Sequence, residues 1–231
     1  MAVNDAHAVP PIARDVRPAD IITLLNALTG LGAIYLAATG DVHVAALLVL
    51  LGILLDGADG AVARLGGGGG PLGGHLDALS DVVTFAVAPA TLLLSTFSLT
   101  WTAGLIAAWF LAAVLLRLAR FESLRERKDP GYFVGLSSPG GALLVAGAVL
   151  LGGPSMTLWV IGGVAGILMV SRQRYPKLRG WLGTVAVTLI LGVLADAIWT
   201  IPYAVEAMMV FLVVYVLAGP LYIQSRFPEA S

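Results

Sequence analysis

The sequence predicts an all-α polytopic integral membrane protein with about eight transmembrane helices and both termini in the cytoplasm. Hydrophobic residues make up 58% of the chain and charged residues only 12%, a composition far from that of soluble domains. Apolar segments of spanning length recur along the chain. Basic residues occur only on alternate connections between these segments, as expected where cytoplasmic loops carry the excess of Lys and Arg.

Eight apolar segments approach the roughly 20 residues that a spanning helix needs. The fifth and sixth are the shortest, and a Gly-Gly-Pro interruption at 152–154 separates them, so six or seven spans are the alternative to eight. The approximate cores are 21–38, 43–64, 76–97, 101–121, 138–152, 156–171, 181–199 and 203–223.

The thirteen basic residues give the orientation. They lie before the first segment, at or after the second, fourth and sixth, and after the eighth. The connections GDVH, STFSLTW, GGPSM and TIPY contain no Lys or Arg. An even number of spans with the basic connections in the cytoplasm is therefore the simplest topology.

Composition also limits partners and chemistry. The formal net charge is −1 and there is no sustained basic run, so nucleic acid is not an expected partner. Because the chain has no cysteine, disulfides, a thiol nucleophile and Cys-ligated metals are excluded. Any metal would have to be bound by oxygen or imidazole ligands.

Four aspartates, Asp56, Asp59, Asp77 and Asp81, lie in or at the ends of apolar segments. An ionised carboxylate there costs at least a few kcal/mol, so a compensating charge is expected. Spacings of three and four residues put each pair on one helix face, and two antiparallel helices can bring both faces together. Clustered carboxylates indicate a hard cation, Mg²⁺ or Mn²⁺, and two divalent ions would balance the four charges.

Small residues surround the first aspartate pair. Gly57, Gly60 and Ala63 indicate either close helix packing or the approach of a bulky ligand to the backbone. Arg64 is either a positive-inside anchor or a phosphate clamp beside the cation site. His75 is expected to take no part in the chemistry.

The segment DGADGAVARLGGGGGPLGGHLDALSD, residues 56–81, contains every fixed residue of the signature D-x2-D-G-x2-A-R-x8-G-x3-D-x3-D. It resembles the CDP-alcohol phosphotransferase family. The resemblance implies that an alcohol oxygen attacks the lipid-linked phosphorus of a CDP-activated lipid and that CMP leaves. It implies metal binding by the four aspartates, with Asp81 also the general base. The implied CDP-binding residues are Thr23, Asn26, Asp56, Asp59, Gly60, Ala63, Arg64, Gly73 and Asp77.

The flanking segments resemble the phosphatidylserine synthase branch of that family. The resemblance rests on Ile22-Thr23 with Asn26, on RLARF at 117–121 and on GLSSP at 135–139. Glu122 and Ser137 depart from the residues common at those positions in the branch. Without the resemblance, Thr23 and Asn26 are equally explained by interhelical hydrogen bonds.

Arg117 and Arg120 share a helix face and are the nearest cations for an acceptor carboxylate or phosphate. As interface anchors they would need no ligand. Together with Ser138 they form the predicted acceptor site. The prediction is therefore a CDP-diacylglycerol (or CDP-archaeol) serine O-phosphatidyltransferase, with glycerol 3-phosphate or an inositol phosphate as the alternative acceptor. The alternative from another class is a non-catalytic membrane protein or an ion transporter. An ion path needs polar groups at several depths of the bilayer, whereas the four aspartates gather at one end.

The predicted organisation has three parts. Residues 1–20 are a cytosolic tail, 21–180 are the phosphotransferase core with about six helices, and 181–231 add two helices and a short tail. The expected partners are a CDP-lipid, a small alcohol and membrane lipid, and the resemblance implies a homodimer. The expected location is the cell membrane, with the active site facing the cytoplasm.

Overall fold

The computed structural model describes residues 12, 15–66, 70, 72–96, 100–124, 131–152 and 155–226. Within these ranges the chain forms eight helices and one two-stranded ribbon. The helices are α1 (Pro18–Thr39), α2 (Val42–Leu65), α3 (Gly73–Ser95), α4 (Trp101–Ser123), α5 (Ser138–Leu150), α6 (Ser155–Val170), α7 (Trp181–Trp199) and α8 (Ala204–Arg226). The all-helical class and the total of eight helices agree with the prediction, whereas eight membrane spans stay a prediction.

Among the described residues, six helices are long and apolar enough to cross a membrane, namely α1 to α4, α7 and α8. The other two, α5 and α6, have 13 and 16 residues. At 1.5 Å per residue they are about 20 and 24 Å long, less than the roughly 30 Å of a hydrocarbon core. The protein is thus a multi-pass membrane protein with six helices of full spanning length and two shorter ones.

The shorter helix α5 lies at the centre of the bundle. Nearly all of its residues between Ser138 and Val149 are buried, and it packs on α2, α3, α6 and α8. A helix enclosed by other helices does not have to match the bilayer thickness, because its ends can be satisfied by protein rather than by headgroups.

A small antiparallel ribbon joins two connections that the sequence analysis left without regular structure. Strand β1 (Tyr132–Val134) pairs with β2 (Arg174–Pro176), with Phe133 opposite Tyr175. Gly135 ends β1 with φ +80°, and its N–H donates to the carbonyl of Gln173 at 2.7 Å. The ribbon thereby ties the segment before α5 to the segment after α6.

Contacts between helix ends define one end of the bundle, here called the site end. It contains the starts of α1, α3, α5 and α7 and the ends of α2, α4, α6 and α8. Nine basic residues lie there: Arg17, Arg64, Arg117, Arg120, Arg172, Arg174, Lys177, Arg179 and Arg226. Arg14, Arg125, Arg127, Lys128, most of the predicted glycine tract and both chain termini are outside the described residues.

Candidate active site

Three of the signature aspartates meet where α2 and α3 approach each other. Asp56, Asp59 and Asp77 each offer one carboxylate oxygen, and these oxygens lie within 4.8 Å of one another. Ligands on opposite sides of Mg²⁺ are about 4.2 Å apart, so small side-chain rotations would let all three bind one cation. The donor set, which is entirely carboxylate oxygen, suits a hard divalent ion.

Asp81 lies beside this cluster. Its carboxyl hydrogen-bonds with Asp56, and its charged neighbours are Asp77 and Arg117. Its Oδ1 atom is buried and has no hydrogen-bond partner among the described residues. Buried polar atoms are nearly always partnered, so this oxygen is suited to accept a proton or to bind a cation when substrate is present.

Two hydroxyl groups attach α3 to α1 next to the aspartates. Ser80 Oγ donates to the carbonyl of Thr23 at 3.0 Å, and Thr84 Oγ1 donates to the carbonyl of Asn26 at 2.9 Å. Thr84 belongs to a π-helical stretch, Val82–Val87, a type of irregularity that is frequent at functional sites. These bonds fix the rotation of α3, and with it the direction of the aspartates that precede the stretch.

Thr84 fits between α1 and α2 because both helices have glycine there. A Cβ atom on Gly30 would lie 2.9 Å from the Thr84 Cα, and one on Gly52 would collide with its Cγ2. Ser80, Thr84 and these glycines were not predicted from the sequence. Ser80 and Thr84 follow Asp77 by three and seven positions, which places all three on one helix face. This spacing was the signal that the sequence offered for them.

Thr23 and Asn26 have different surroundings. The Thr23 hydroxyl donates to Asp59 Oδ2 at 2.7 Å, so it orients a carboxylate of the cluster. The Asn26 side chain is fully buried, and its Oδ1 and Nδ2 have no hydrogen-bond partner within the described part of the chain. Thr23 therefore acts on the cation site, whereas the Asn26 amide can still hydrogen-bond to a bound group.

A further buried carboxylate, Asp20, was assigned to the tail by the sequence analysis. It is 2% exposed and occupies the first turn of α1, where its Oδ2 accepts from the Arg17 N–H at 2.7 Å. A Cβ on Gly73 would lie 3.2 Å from Asp20 Oδ1. Crowding against Asp20 therefore explains why this position of the signature is glycine. Pro18 followed by an acid two positions later is a helix-start pattern that could have revealed it.

Gly57 and Gly60 on α2 have almost no neighbours among the described residues. No described atom lies within 4 Å of a Cβ built on Gly57, and a Cβ on Gly60 would meet only the Arg64 guanidinium, at 3.3 Å. Close packing against another helix therefore does not explain either glycine. Arg64 and His75 are exposed at the site end.

The predicted acceptor residues separate into two groups. Arg117 Nη1 donates to Ser138 Oγ at 2.8 Å, and both residues are buried. Its guanidinium carbon lies 5.4 Å from the ring centroid of Phe121 and 5.8 Å from that of Phe133, within cation–π range. Asp81 and Asp56 are its acidic neighbours, so Arg117 links Ser138 to the aspartates.

Arg120, one turn later, donates to backbone carbonyls instead. Its Nη2 lies 2.9 Å from the carbonyl oxygens of Val134 and Met169, and Nη1 lies 3.4 Å from those of Val170 and Ser171. These bonds hold the end of α6 against β1. Although Arg117 and Arg120 lie on the same helix face, they bind different partners: a serine hydroxyl in one case and backbone carbonyls in the other.

The family profile described as CDP-alcohol phosphatidyltransferase matches residues 17–172, which covers α1 to α6 and all four signature aspartates. The chain belongs to the CDP-alcohol phosphatidyltransferase family. Members of this family are transferases, so the alternative of a non-catalytic protein or an ion transporter is set aside. The position of the four carboxylates at one end of the bundle agrees with this.

Named relatives of this CDP-alcohol phosphatidyltransferase cover most of its length. A Methanocaldococcus jannaschii CDP-diacylglycerol–serine O-phosphatidyltransferase is 38% identical over 166 residues, 72% of this chain and 77% of the relative. A Helicobacter pylori protein of the same name is 30% identical over 212 residues, 87% and 88% of the two chains. An archaetidylserine synthase of Methanothermobacter thermautotrophicus is 33% identical over 168 residues, 70% of each chain.

Proposed function

We propose that this enzyme transfers the phosphatidyl-type group of a CDP-activated lipid, CDP-diacylglycerol or CDP-archaeol, to the hydroxyl of serine. The observation that carries the proposal is the buried Arg117, which contacts Ser138 on one side and neighbours Asp81 on the other. A guanidinium beside a carboxylate base suits an acceptor that has both a carboxylate and a hydroxyl. The names of the relatives favour the same acceptor.

The donor half of the site consists of α2 and the start of α3. Asp56, Asp59 and Asp77, with Asp81 beside them, would hold two divalent ions, Mg²⁺ or Mn²⁺. When bound, these ions would supply the positive charge that neutralises the pyrophosphate. The CDP moiety would lie along the open surface of α2. The chain residues proposed to surround CDP are Thr23, Asn26, Gly60, Ala63, Arg64 and Gly73, together with the three aspartates.

The reaction needs one base and one leaving group. The serine hydroxyl oxygen attacks the phosphorus attached to the lipid, the bond between that phosphorus and the CMP oxygen breaks, and the hydroxyl proton passes to Asp81. The unpartnered Oδ1 of Asp81 supports this role, because a general base must have a free acceptor atom near the proton that it removes.

Arg117 and Ser138 would bind the serine carboxylate. Arg120 was also predicted to bind the acceptor, but its guanidinium donates to four carbonyl oxygens. We therefore propose that Arg120 positions the ribbon rather than contacting the acceptor. The proposal puts the site end at the cytoplasmic face of the cell membrane, where serine is dissolved. A homodimer remains a prediction from the resemblance.

The test is CMP release by the purified protein in vesicles with a CDP-lipid and Mg²⁺ or Mn²⁺. Serine, glycerol 3-phosphate, inositol and inositol phosphate are compared as acceptors, each with diacyl and archaeol donors. We expect serine to support the highest rate. Release with glycerol 3-phosphate or inositol phosphate but not serine would contradict the acceptor, and no release with any acceptor would contradict the reaction.

A further inference from the structure

We infer that the C-terminal helix α8, which lies outside the matched residues 17–172, positions the acceptor half of the active site through Tyr215. The inference rests on the proposed function. It concerns a side chain about 100 positions away in sequence from Arg117, on a helix that packs on β2, α5 and α7. Three successive contacts connect Tyr215 to Arg117.

The first contact joins α8 to strand β2. Tyr215 is 6% exposed, and its hydroxyl donates to the carbonyl oxygen of Pro176 at 2.8 Å. Its ring lies 5.8 Å from that of Tyr175 at an angle of 31°. One turn later, a Cβ on Gly219 would lie 3.0 Å from Pro176 Cδ and 3.4 Å from Tyr175 Cδ1. A glycine at this position lets the helix approach the strand closely.

The second and third contacts lead from β2 to the arginine. Tyr175 pairs with Phe133 across the ribbon. The Phe133 ring lies 5.8 Å from the guanidinium carbon of Arg117 and 5.3 Å from Lys177 Nζ. Arg120 holds the other edge of the ribbon through the Val134 carbonyl. The ribbon is thus fixed from α4 on one side and from α8 on the other.

Loss of the Tyr215 hydroxyl would remove a buried hydrogen bond to the Pro176 carbonyl, a change that weakens the contact between α8 and β2. We expect the ribbon to loosen and Phe133 to hold Arg117 less well. The donor half should change less than the acceptor half, because α8 packs on β2, α5 and α7, whereas the donor residues lie on α1 to α3. Acceptor binding and CDP-lipid binding should therefore respond differently.

The test compares Tyr215→Phe with Tyr222→Phe, an exposed tyrosine on the same helix. We expect Tyr215→Phe to raise the KM for the acceptor roughly 5- to 30-fold and to leave the KM for CDP-lipid within about twofold. Tyr222→Phe should change neither. Gly219→Ala should reproduce the effect, with Gly192→Ala on α7 as its control, since no described atom lies within 4 Å of a Cβ there. Equal changes in both KM values, or none, would overturn the inference.

Failure of the proposed function can be distinguished from failure of the inference about Tyr215. The wild-type acceptor comparison identifies the substrate, and the variants are then assayed with whichever acceptor releases CMP. Amide hydrogen exchange over 131–136 and 173–177 adds a readout that does not need activity. Exchange should be faster in Tyr215→Phe than in Tyr222→Phe, and equal exchange in the two variants would contradict the inference even in an inactive preparation.

Discussion

At the scale of single residues, the active site shows how one hydrogen bond determines the task of a side chain. Thr23 was predicted beside the nucleotide, and its hydroxyl donates to Asp59, a predicted metal ligand, at 2.7 Å. Groups that orient a metal ligand usually change metal affinity 10- to 100-fold when they are lost. The role of Thr23 can therefore be measured separately from that of Asp59 itself.

The first prediction concerns this pair. Asp59→Asn should reduce kcat/KM by more than about 100-fold, since it removes a ligand rather than a group that orients one. Thr23→Val should raise the concentration of Mg²⁺ or Mn²⁺ needed for half-maximal activity about 10- to 100-fold, and Thr23→Ser should restore it. Full activity of Asp59→Asn, or of the wild type in EDTA, would contradict a metal site here.

The second prediction separates the arginines. Arg117→Ala should raise the KM for serine about 10- to 150-fold, the loss of one charge-assisted hydrogen bond, and Arg117→Lys should recover little because an ammonium lacks the guanidinium fork. Arg64→Ala should instead raise the KM for CDP-lipid. If Arg120→Ala, rather than Arg117→Ala, selectively impaired serine binding, the original assignment of Arg120 to the acceptor would be correct.

The signature residues predicted which acidic groups meet, because spacing on a helix fixes their common face. Spacing on a helix could not predict that Arg117 and Arg120, three residues apart, have different partners. The carbonyl oxygens that Arg120 binds lie on β1 and at the end of α6, about 14 and 50 positions later in sequence. No local pattern encodes such a long-range contact with the backbone.

At the scale of secondary structure elements, the fit between α1, α2 and α3 determines where the aspartates point. Thr84 occupies a space that exists only because Gly30 and Gly52 lack side chains. The predicted apolar segments match the observed helices within three residues at every end, since hydropathy decides helix length in a membrane. The ribbon was missed because strands of three residues have too few positions to show an alternating pattern.

The third prediction tests this fit. Gly52→Ala should destabilise the protein by about 1–3 kcal/mol, the usual range for overpacking, and should lower activity by shifting α3. Gly104→Ala on α4, where a Cβ meets no described atom within 4 Å, is the control and should be neutral. Thermal unfolding in detergent measures both, and equal melting temperatures for the two variants would contradict the packing argument.

At the scale of the whole molecule, the nine described basic residues lie at the site end, whereas Asp196 and Glu206 lie toward the opposite end. The described basic residues therefore gather at one end of the bundle, because successive helices alternate in direction. The relation of that end to the cytoplasm stays a prediction.

The fourth prediction tests the orientation, and the absence of cysteine makes it direct. Single cysteines at Leu65 and Arg172, both exposed at the site end, should react with an impermeant maleimide from the cytoplasmic side only. A cysteine at Thr39, exposed at the other end of α1, should react from the opposite side. Labelling of Leu65→Cys and Arg172→Cys from different sides would contradict the topology.

The shortness of α6 has a consequence for the surrounding lipid. Its outer face exposes Met156, Val160, Val164 and Ile167, so unlike α5 it would face the bilayer, over only about 24 Å. Hydrophobic mismatch of this size is relieved when the bilayer becomes locally thinner. The enzyme should therefore be more active in vesicles of shorter acyl chains. CMP release measured in a series of vesicles of increasing acyl-chain length would show whether bilayer thickness controls the rate.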